Sequence, residues 1–445
     1  MTAAACHATV RPVDAARYLV VGSGGREHAL AWRLALDPGH PEVLVAPGND
    51  GMAAAFERLP VAEGDAAGLV RAARARGVTL VVIGPEAPLA AGVADALVAQ
   101  GVAVFGPSAS AARLEASKWF AKEVMREAGV PTARASVHED AAEARAALDG
   151  AGPPWVLKAD GLAAGKGVLV TAARAEAEAF LAACLEGGRF GEGGRRVLIE
   201  EFLAGEEASV MAVCDGARHV LLPPARDYKR ARDGDAGPNT GGMGAFCPTP
   251  AVDAAAEERI GREIVAPVLA AMAARGTPFR GLLYCGLMMT AAGPRVIEFN
   301  VRFGDPETQA VLPLVTGSLG ALLASAARGD LAPQAVGRAP GAAVAVALVD
   351  EGYPDAVRGG GAIEGLDALA AHEGVAVFHA GTAREGGAWR VRGGRAAYVV
   401  GRAPGRDEAR ARAYGAIAAL GGRGWRCRSD VAGVGAAQGA AGGMR

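Results

Sequence analysis

The sequence predicts a multidomain protein of the α/β and α+β classes, and three observations support this prediction. The chain has 445 residues, more than one hydrophobic core usually supports. Short apolar runs alternate with helical stretches in its first quarter, a pattern typical of a parallel sheet. Later strands are interrupted by a long glycine-rich loop at 226–247, as in an α+β region.

The first domain, expected at residues 1–120, opens with a strand, a glycine turn and a helix. The strand YLVVG begins at Tyr18, SGG follows it, and the helix is expected from about Arg26 to Leu36. The strands EVLVA, LVVIG (80–84) and VAVFG (102–106) continue the alternation. This order predicts a Rossmann-like parallel sheet.

Three further segments follow the first domain. A central domain is expected at 121–335, with the strands ASVMAVCDG, GLLYCGLMMT and RVIEFNVRF and a helix around 254–275. Within it, residues of about 130–197 are expected to form a mobile flap subdomain. A small C-terminal α+β domain is expected at 336–430, with the strands AVAVALVD, VAVFHAGT and AAYVVGR and a helix near 406–419. Residues 431–445 have little to bury and are expected to be disordered.

Composition limits the partners and the compartment. Lys plus Arg number 46 and Asp plus Glu 48, for a net charge of −2, so no global field favours nucleic acid or membranes. Six scattered cysteines without a Cys-x-x-Cys pair argue against a disulfide framework and a zinc site. Neither a signal peptide nor a membrane-length apolar run is visible. We therefore expect a cytoplasmic protein that binds neither nucleic acid nor membrane.

The first glycine motif, GSGGRE at 22–27, resembles a dinucleotide fingerprint but departs from it. Glu27 occupies the third glycine position, and the second strand ends in Ala46-Pro47 without the acidic residue that holds a ribose. NAD binding is therefore disfavoured. A glycine turn at a helix N-terminus, with Arg26 beside it, suits a phosphate monoester. A tight turn without any ligand remains the alternative.

The second glycine motif, GLAAGKG at 161–167, is not a P-loop. Its glycines are separated by three residues where the P-loop has four, and Gly167 stands where the metal-binding Ser or Thr is required. Its backbone N–H groups could still close over phosphates as a flap, while Lys158 on the preceding strand supplies a positive charge. A plain flexible hairpin is the alternative.

The segment RVIEFNVRF at 295–303 carries the most chemistry. Alternate residues of a strand share a face, which separates a polar row from an apolar row: Glu298, Asn300 and Arg302 against Ile297, Phe299, Val301 and Phe303. Oxygen ligands beside a guanidinium suit a hard divalent cation next to polyphosphate. The alternative is an amphipathic edge strand with a surface ion pair. Four glutamates around IEEFLAGEEAS form a weaker signal that also fits a solvated surface, and His28 and His379 are expected to be structural.

These segments together resemble the phosphoribosylamine–glycine ligases, a family of the ATP-grasp superfamily, from about Tyr18 to Asp430. The resemblance is carried, in the family's order, by VVGSGGREHALAW, APGND, VVIGPEAPLAAGVADAL, LEASKWFAK, LKADGLAAGKGV, IEEFLAGEEAS, DGDAGPNTGGMGAF, VIEFNVRFGDPETQ and VFHAGT. It implies a central ATP-grasp domain. Arg226 and Tyr228 depart from the Gln and His that are usual in the family.

The resemblance also implies a set of site residues. For ATP it implies Lys118, Lys158, the backbone of Glu200, Glu201, Phe202 and Leu203, then Glu207 at the ribose, and Arg230 and Asn239. For Mg²⁺ or Mn²⁺ it implies Glu298 and Asn300. For the phosphoribosylamine it implies Gly24, Gly25, Arg26, Asn49 and Glu86, with Asp305 and Glu307 where glycine and the sugar amine meet. The residues implied for catalysis are Lys158, Arg302 and Asp227.

The activity that the resemblance implies is ATP-dependent joining of glycine to 5-phosphoribosylamine in purine synthesis, through glycyl phosphate, by a monomeric enzyme. Another ATP-grasp carboxylate–amine ligase and a biotin-carboxylase-like enzyme are alternatives within the same superfamily. A non-catalytic nucleotide-binding regulator is an alternative of a different class.

Overall fold

The N-terminal unit is built on a five-stranded sheet in which every pair of neighbours is parallel. The computed structural model describes residues 16–162 and 167–433. The sheet has the order β3-β2-β1-β4-β5. The elements are β1 (Arg17–Gly22), α1 (Gly25–Ala35), β2 (Glu42–Pro47), β3 (Glu57–Arg58), α2 (Ala66–Ala75), β4 (Leu80–Ile83), α3 (Glu86–Ala90), α4 (Val93–Ala99), β5 (Val104–Phe105), α5 (Ala109–Ala116) and α6 (Lys118–Glu127).

This sheet forms because its central strands are apolar on both faces, as a parallel sheet covered by helices requires. The residues of β4 are all buried, and β1 is buried from its second residue onward. Leu19 and Val21 face one core with α2 to α6, whereas Val20 faces a second core with α1. The predicted parallel-sheet fold is therefore confirmed, although only the last part of VAVFG forms a strand.

The segment predicted as a flap has a sheet and a core of its own. Its antiparallel sheet has the order β6-β9-β7-β8. The elements are β6 (Ala135–His138), α7 (Ala141–Ala151), β7 (Trp155–Ala159), β8 (Val168–Thr171), α8 (Arg174–Leu181) and β9 (Val197–Glu200). Leu148, Leu157, Leu181 and Ile199 pack together in a cluster separate from the other cores. The mobility of this segment stays a prediction.

A second antiparallel sheet, β11-β10-β16-β17, forms the centre of the chain. It rests on a long ladder between β10 and β16, and one of its two apolar faces packs against the N-terminal unit. The elements from this sheet to the next one are β10 (Glu206–Asp215), β11 (His219–Leu221), β12 (Arg226–Asp227), β13 (Arg230–Arg232), β14 (Ala236–Asn239), β15 (Gly244–Cys247), α9 (Ala254–Ile260), α10 (Ala266–Ala274), β16 (Arg280–Thr290), β17 (Gly293–Asn300), α11 (Glu307–Val311), β18 (Val315–Gly317), α12 (Leu319–Arg328) and β19 (Val336–Arg338).

The C-terminal sheet borrows strands from the glycine-rich loop. Its order is β12-β15-β20-β25-β22, with β27 also paired to β20. The remaining elements are β20 (Ala342–Asp350), β21 (Ala362–Glu364), α13 (Leu366–Leu369), β22 (Val375–His379), β23 (Thr382–Glu385), β24 (Ala388–Val391), β25 (Arg395–Ala403), α14 (Arg406–Ala418), β26 (Gly421–Arg423) and β27 (Trp425–Arg426). Because β12 and β15 come from 226–247, the loop and this sheet form one structure.

Two predictions fall wholly or partly outside the described residues. Positions 163–166 of the motif GLAAGKG lie outside them, and so do 434–445 of the predicted tail. Within 16–162 and 167–433, no helix combines the length and the apolar character that crossing a membrane requires.

Candidate active site

The strand β17 carries the predicted metal ligands, and a β-bulge alters its pattern. Glu298 pairs with Gly286, whereas Val296 already pairs with Leu287, so Ile297 is the extra residue. An extra residue reverses the alternation of faces. Val296 is consequently buried and Ile297 half-buried. The prediction that Ile297 belongs to the apolar row is wrong for this reason.

Beyond the bulge the predicted alternation is present. Phe299, Val301 and Phe303 are buried, while Glu298 and Asn300 are half-buried. The strand itself ends at Asn300. The prediction of one strand through 303 is therefore too long, because the chain turns after Asn300 towards α11.

Three lysines and one buried carboxylate lie beside β17, and two of the lysines contact that carboxylate. We call Lys118, Lys122, Lys158 and Glu200 the lysine cluster. The Lys158 ammonium on β7 donates to the Ile297 carbonyl at 2.8 Å and lies 3.0 Å from one Glu200 oxygen. The Lys122 ammonium lies 3.3 Å from the other oxygen, without hydrogen-bond geometry. Lys118, at the start of α6, donates to the Gly161 carbonyl at 2.9 Å.

Electrostatics connect this cluster to the predicted metal ligand. Burial lowers the pKa of Lys118, the Glu298 carboxylate opposes that shift, and the charge of Lys158 reinforces it. Burial likewise lowers the pKa of Lys122 to about 8, against the opposing charge of Glu200. The lysine cluster thus holds a surplus of positive charge next to Glu298, an arrangement suited to an anion such as polyphosphate.

A second cluster of opposite composition lies on β10, β12 and α11. We call Glu207, Asp227, Lys229 and Glu307 the acidic cluster. The Lys229 ammonium lies 2.8 Å from Glu207 and 2.9 Å from Asp227. The Tyr284 hydroxyl donates to Glu307 at 2.8 Å. One lysine therefore stands among three carboxylates.

The carboxylates of the acidic cluster differ in their affinity for protons. Lys229 holds the pKa of Glu207 below its ordinary value. Burial raises the pKa of Asp227 although Lys229 opposes it, and the charge of Glu298 raises it further. Burial, together with the charge of Asp227, raises the pKa of Glu307 to about 7. The cluster can therefore hold or release a proton near neutral pH.

The segment predicted to hold adenine connects the flap sheet to the central sheet. Glu200 ends β9, and Glu201, Phe202 and Leu203 follow it as half-buried residues without regular structure. The Glu201 carboxylate pairs with Arg134 at 2.8 Å and with Arg295 at 3.1 Å. This crossing therefore lies directly beside the lysine cluster.

Arg230 and Asn239 face each other in the hairpin of β13 and β14. The Arg230 guanidinium donates to the Gly237 carbonyl at 2.8 Å within the same hairpin. The structure thus brings the two residues together, and their contact with nucleotide stays a prediction.

The glycine turn contains its own counterion. The Gly24 N–H donates to Glu27 at 2.7 Å, and the same carboxylate pairs with Arg26. Gly25 is required by close packing, since a Cβ there would lie 2.4 Å from the ring of Tyr398. Glu27 thus occupies the groups that a phosphate would use, and a phosphate bound here would have to compete with it.

Asn49 fastens the glycine turn to the C-terminal sheet. Its amide nitrogen donates to the carbonyls of Ser23 at 2.8 Å and His379 at 2.9 Å, and its oxygen accepts from the Met52 N–H. The hydrogens of the side-chain amide are both used in this way. Beside it, the His379 N–H donates to His28 at 2.9 Å, which fits the structural role expected of both histidines.

Arg302 and Glu86, predicted for different roles, are partners in the structure. The Arg302 guanidinium lies 3.1 Å from Glu86 and 3.2 Å from Glu115. Burial opposes ionisation of Glu86, but Arg302 and Arg26 hold its pKa below the ordinary value. The structure thus joins the end of the β17 segment to the GPEAP loop.

Asp305 is held by the C-terminal domain. It accepts from Arg395 at 2.7 Å, from Tyr398 at 2.9 Å and from Gln309 at 2.8 Å. Burial opposes ionisation of the Asp305 carboxyl, but the charge of Arg395 holds its pKa below the ordinary value. Neither Arg395 nor Tyr398 was predicted, because their pairing with Asp305 joins segments about ninety residues apart.

The donor set on β17 fits a divalent cation carried by a nucleotide. Glu298 and Asn300 are partly accessible and offer oxygen atoms. In the described part of the chain, no group of three or more His, Cys, Asp and Glu residues forms a complete cage. Magnesium commonly takes one or two protein oxygens and completes its shell with phosphate and water.

Two lysines of these clusters, Lys122 and Lys229, were missed, although a signal for them is present in the sequence. Only five of the 46 basic residues are lysines: Lys118, Lys122, Lys158, Lys166 and Lys229. All four that lie in the described ranges belong to the two clusters. Arg and Lys are not interchangeable where a compact ammonium is needed, so each lysine of an arginine-rich chain marks a position of interest.

Comparison with known proteins gives matches along nearly the whole chain. It matches the phosphoribosylglycinamide synthetase N domain at residues 16–115, the ATP-grasp (A) domain at 116–308 and the C domain at 343–433. A phosphoribosylamine–glycine ligase of Caulobacter vibrioides is 48% identical over 93% of this chain and 97% of its own length. One of Streptomyces coelicolor is 48% identical over 94% and 98%.

Solved structures agree with these sequence matches. The phosphoribosylamine–glycine ligase of Thermotoga maritima has a TM-score of 0.80 and 37% identity, covering 93% of this chain and 99% of that one. A biotin carboxylase of Campylobacter jejuni, at 15% identity and a TM-score of 0.69 over 92% of both chains, shares the fold. From its N, ATP-grasp and C domains and from these relatives, the chain belongs to the phosphoribosylamine–glycine ligase family.

Proposed function

We propose that this chain joins glycine to 5-phosphoribosylamine at the expense of ATP, giving glycinamide ribonucleotide, ADP and phosphate in purine biosynthesis. The observation that carries the proposal is the pairing of a cationic and an acidic cluster at one metal-ligand strand. The charge of Glu298 acts on Lys118 in the first cluster and on Asp227 in the second. Family membership supports the same reaction.

In this proposal the polyphosphate of ATP lies beside the lysine cluster. Lys118 and Lys158 contact the phosphates, and the backbone from Glu200 to Leu203 holds the adenine. Glu207 binds the ribose, and Arg230 and Asn239 line the same site. Burial of the lysines supports this arrangement, because an ammonium in a low dielectric attracts phosphate more strongly than in water.

Glu298 and Asn300 would hold Mg²⁺ or Mn²⁺. The bound cation would neutralise part of the phosphate charge. Asn300 adds a neutral oxygen, so the single carboxylate of Glu298 would leave half of the cation's formal charge for the nucleotide.

The phosphoribosylamine lies between the N-terminal turn and the acidic cluster. Its phosphate contacts Gly24, Gly25 and Arg26, and Asn49 and Glu86 shape the turn that receives it. Arg302 contributes positive charge on the side of the transferred group. Arg26 is buried, which would strengthen its attraction for a phosphate once Glu27 releases it.

The chemistry consists of two transfers. The glycine carboxylate attacks the γ-phosphorus of ATP, which forms glycyl phosphate and releases ADP. The amine of the phosphoribosylamine then attacks the glycyl carbonyl, the amide bond forms, and phosphate leaves. The amine loses a proton in this step, and Asp227, Asp305 and Glu307 border that position. Exclusion of water protects the acyl phosphate.

The test is ADP release by the purified protein with ATP, Mg²⁺ and phosphoribosylamine, with and without glycine. We expect release to require glycine. Release that is indifferent to glycine would contradict the proposed substrate, and release that requires bicarbonate instead would favour a carboxylase. The same assay with Mn²⁺ in place of Mg²⁺ compares the two metals. We further propose that the enzyme acts in the cytoplasm and that it is a monomer. Sedimentation of the purified chain tests the oligomeric state.

A further inference from the structure

Lys122 has no role in the proposed reaction, yet its surroundings are specific. It lies one turn after Lys118 on α6 and is buried. Its ammonium donates to the Thr132 hydroxyl and to the Ala133 carbonyl, both at 2.9 Å. With Glu200 at 3.3 Å, three oxygen atoms surround a group that carries three hydrogens.

Each of these three partners leads to the nucleotide site. Glu200 holds Lys158 at its other oxygen. The Thr132 hydroxyl donates onward to the Val296 carbonyl at 2.7 Å, on the strand that carries Glu298. Thr132 and Ala133 also lie on the chain entering the flap sheet, whereas Glu200 lies on the chain leaving it. Lys122 therefore connects α6 to both chain segments that link the flap sheet to the rest of the protein.

We propose that Lys122 is a positioning residue for nucleotide binding, holding Glu200 so that Lys158 is fixed at the phosphates. This inference rests on the proposed function only through the identity of the nucleotide. Lysine occupies this position in a chain whose basic residues are almost all arginine. A planar guanidinium could not present three hydrogens in the same compact geometry.

Charge balance supports this role. Lys122, Lys158 and Glu200 together carry a net positive charge. Without Lys122, the charges of Glu200 and Lys158 cancel. Removing one partner of a buried ionic group also leaves the remaining groups without compensation. Glu200 would then draw Lys158 more strongly to itself and away from phosphate.

The wild-type protein offers a first test through pH. The charged groups facing Lys122 are Glu200 on β9, Lys158 on β7 and Glu201 beyond β9. Because the pKa of Lys122 is about 8, it loses its charge as the pH rises above that value. We expect the dissociation constant of a non-hydrolysable ATP analogue with Mg²⁺ to increase between pH 7 and 9.5. A flat profile over this range would overturn the inference.

The second test is Lys122→Met, which keeps most of the side-chain volume. We expect the dissociation constant of the analogue at pH 7 to rise about 10- to 100-fold, as for a lost hydrogen bond to a charged group. The pH dependence above 8 should disappear, and the KM for glycine should stay unchanged. If this variant does not fold, Lys122→Gln is measured in the same way.

The matched control is Glu127→Gln, at the end of the same helix. Glu127 pairs with Arg275 at the surface, so this change should leave nucleotide binding as it is. A Lys122→Met protein that binds the analogue within twofold of wild type would overturn the inference. Since binding is measured without glycine, failure of the proposed ligase activity in the wild type remains a separate result.

Discussion

The lysine cluster and the acidic cluster are both electrostatic neighbours of Glu298, yet their compositions are opposite. The first combines three lysines with one carboxylate, and the second places one lysine among three carboxylates. The lysine cluster has an uncompensated positive charge, opposite to that of polyphosphate. The acidic cluster has an uncompensated negative charge, opposite to that of a metal ion or an ammonium group. The contrast indicates how one strand can serve two kinds of ligand.

The largest effect on turnover is expected from removing a lysine of the lysine cluster. Lys158→Met should reduce turnover by about 100- to 1000-fold, the size of effect seen when one preorganised donor to developing charge is removed. The assay is glycine-dependent ADP release at saturating substrates. Arg275→Gln, which removes an exposed ion pair with Glu127, serves as the control and should retain wild-type turnover. A Lys158→Met rate within tenfold of wild type would contradict the phosphate assignment.

A smaller effect is expected at the strand between the clusters. Glu298→Gln should raise the Mg²⁺ concentration for half-maximal activity by at least about tenfold, since even changes outside the ligand shell commonly cost that much. The measurement is a Mg²⁺ titration at fixed ATP, repeated with Mn²⁺. Glu263→Gln, on the surface beside Arg259 and Arg262, is the control. An unchanged titration curve would remove Glu298 from the metal site.

A change in the acidic cluster is expected to alter the pH profile of the reaction. Lys229→Met removes the cation that lowers the pKa of Glu207 and opposes the raised pKa of Asp227. The acidic limb of the profile of kcat/KM should therefore move up by about one to three pH units, the effect of losing one nearby opposite charge. Lys229→Arg keeps the charge and should move the limb less. Equal profiles for Lys229→Met and wild type would show that this cluster does not control the rate.

Much of the fold could be predicted from sequence because it depends on local patterns. The strand of Tyr18, the helix after the glycine turn and the alternation of Phe299 and Val301 all follow from apolar periodicity. The lysine on β7 and the carboxylate on β17 could be placed for the same reason. The bulge at Ile297 could not, since an extra residue in one strand is defined by its partner strand.

The rest of the site depends on contacts between distant segments. Lys229, in the short segment between β12 and β13, meets Glu207 on β10, and Asp305 meets Arg395 from another domain. Nothing in the spacing of these residues predicts such pairs. The motif at 22–27 does not predict the counterion role of Glu27 either, because the dinucleotide fingerprint it resembles has an uncharged glycine at that position.

The smallest effect is expected for Glu307, and it concerns stability rather than turnover. Burial raises its pKa to about 7 from an ordinary value of 4.5, so between these values the folded protein binds a proton that the unfolded chain has released. The free energy of unfolding contributed by this group is therefore present at low pH and is lost as the pH rises towards 7. Glu307→Gln should remove about 2.5 kcal/mol of the difference in unfolding free energy between pH 5 and pH 8, since each unit of pKa difference corresponds to about 1.4 kcal/mol. Urea denaturation at the two pH values measures it. An undiminished difference in the variant would mean that Glu307 ionises at its ordinary pH, so that burial and the charge of Asp227 do not raise its pKa.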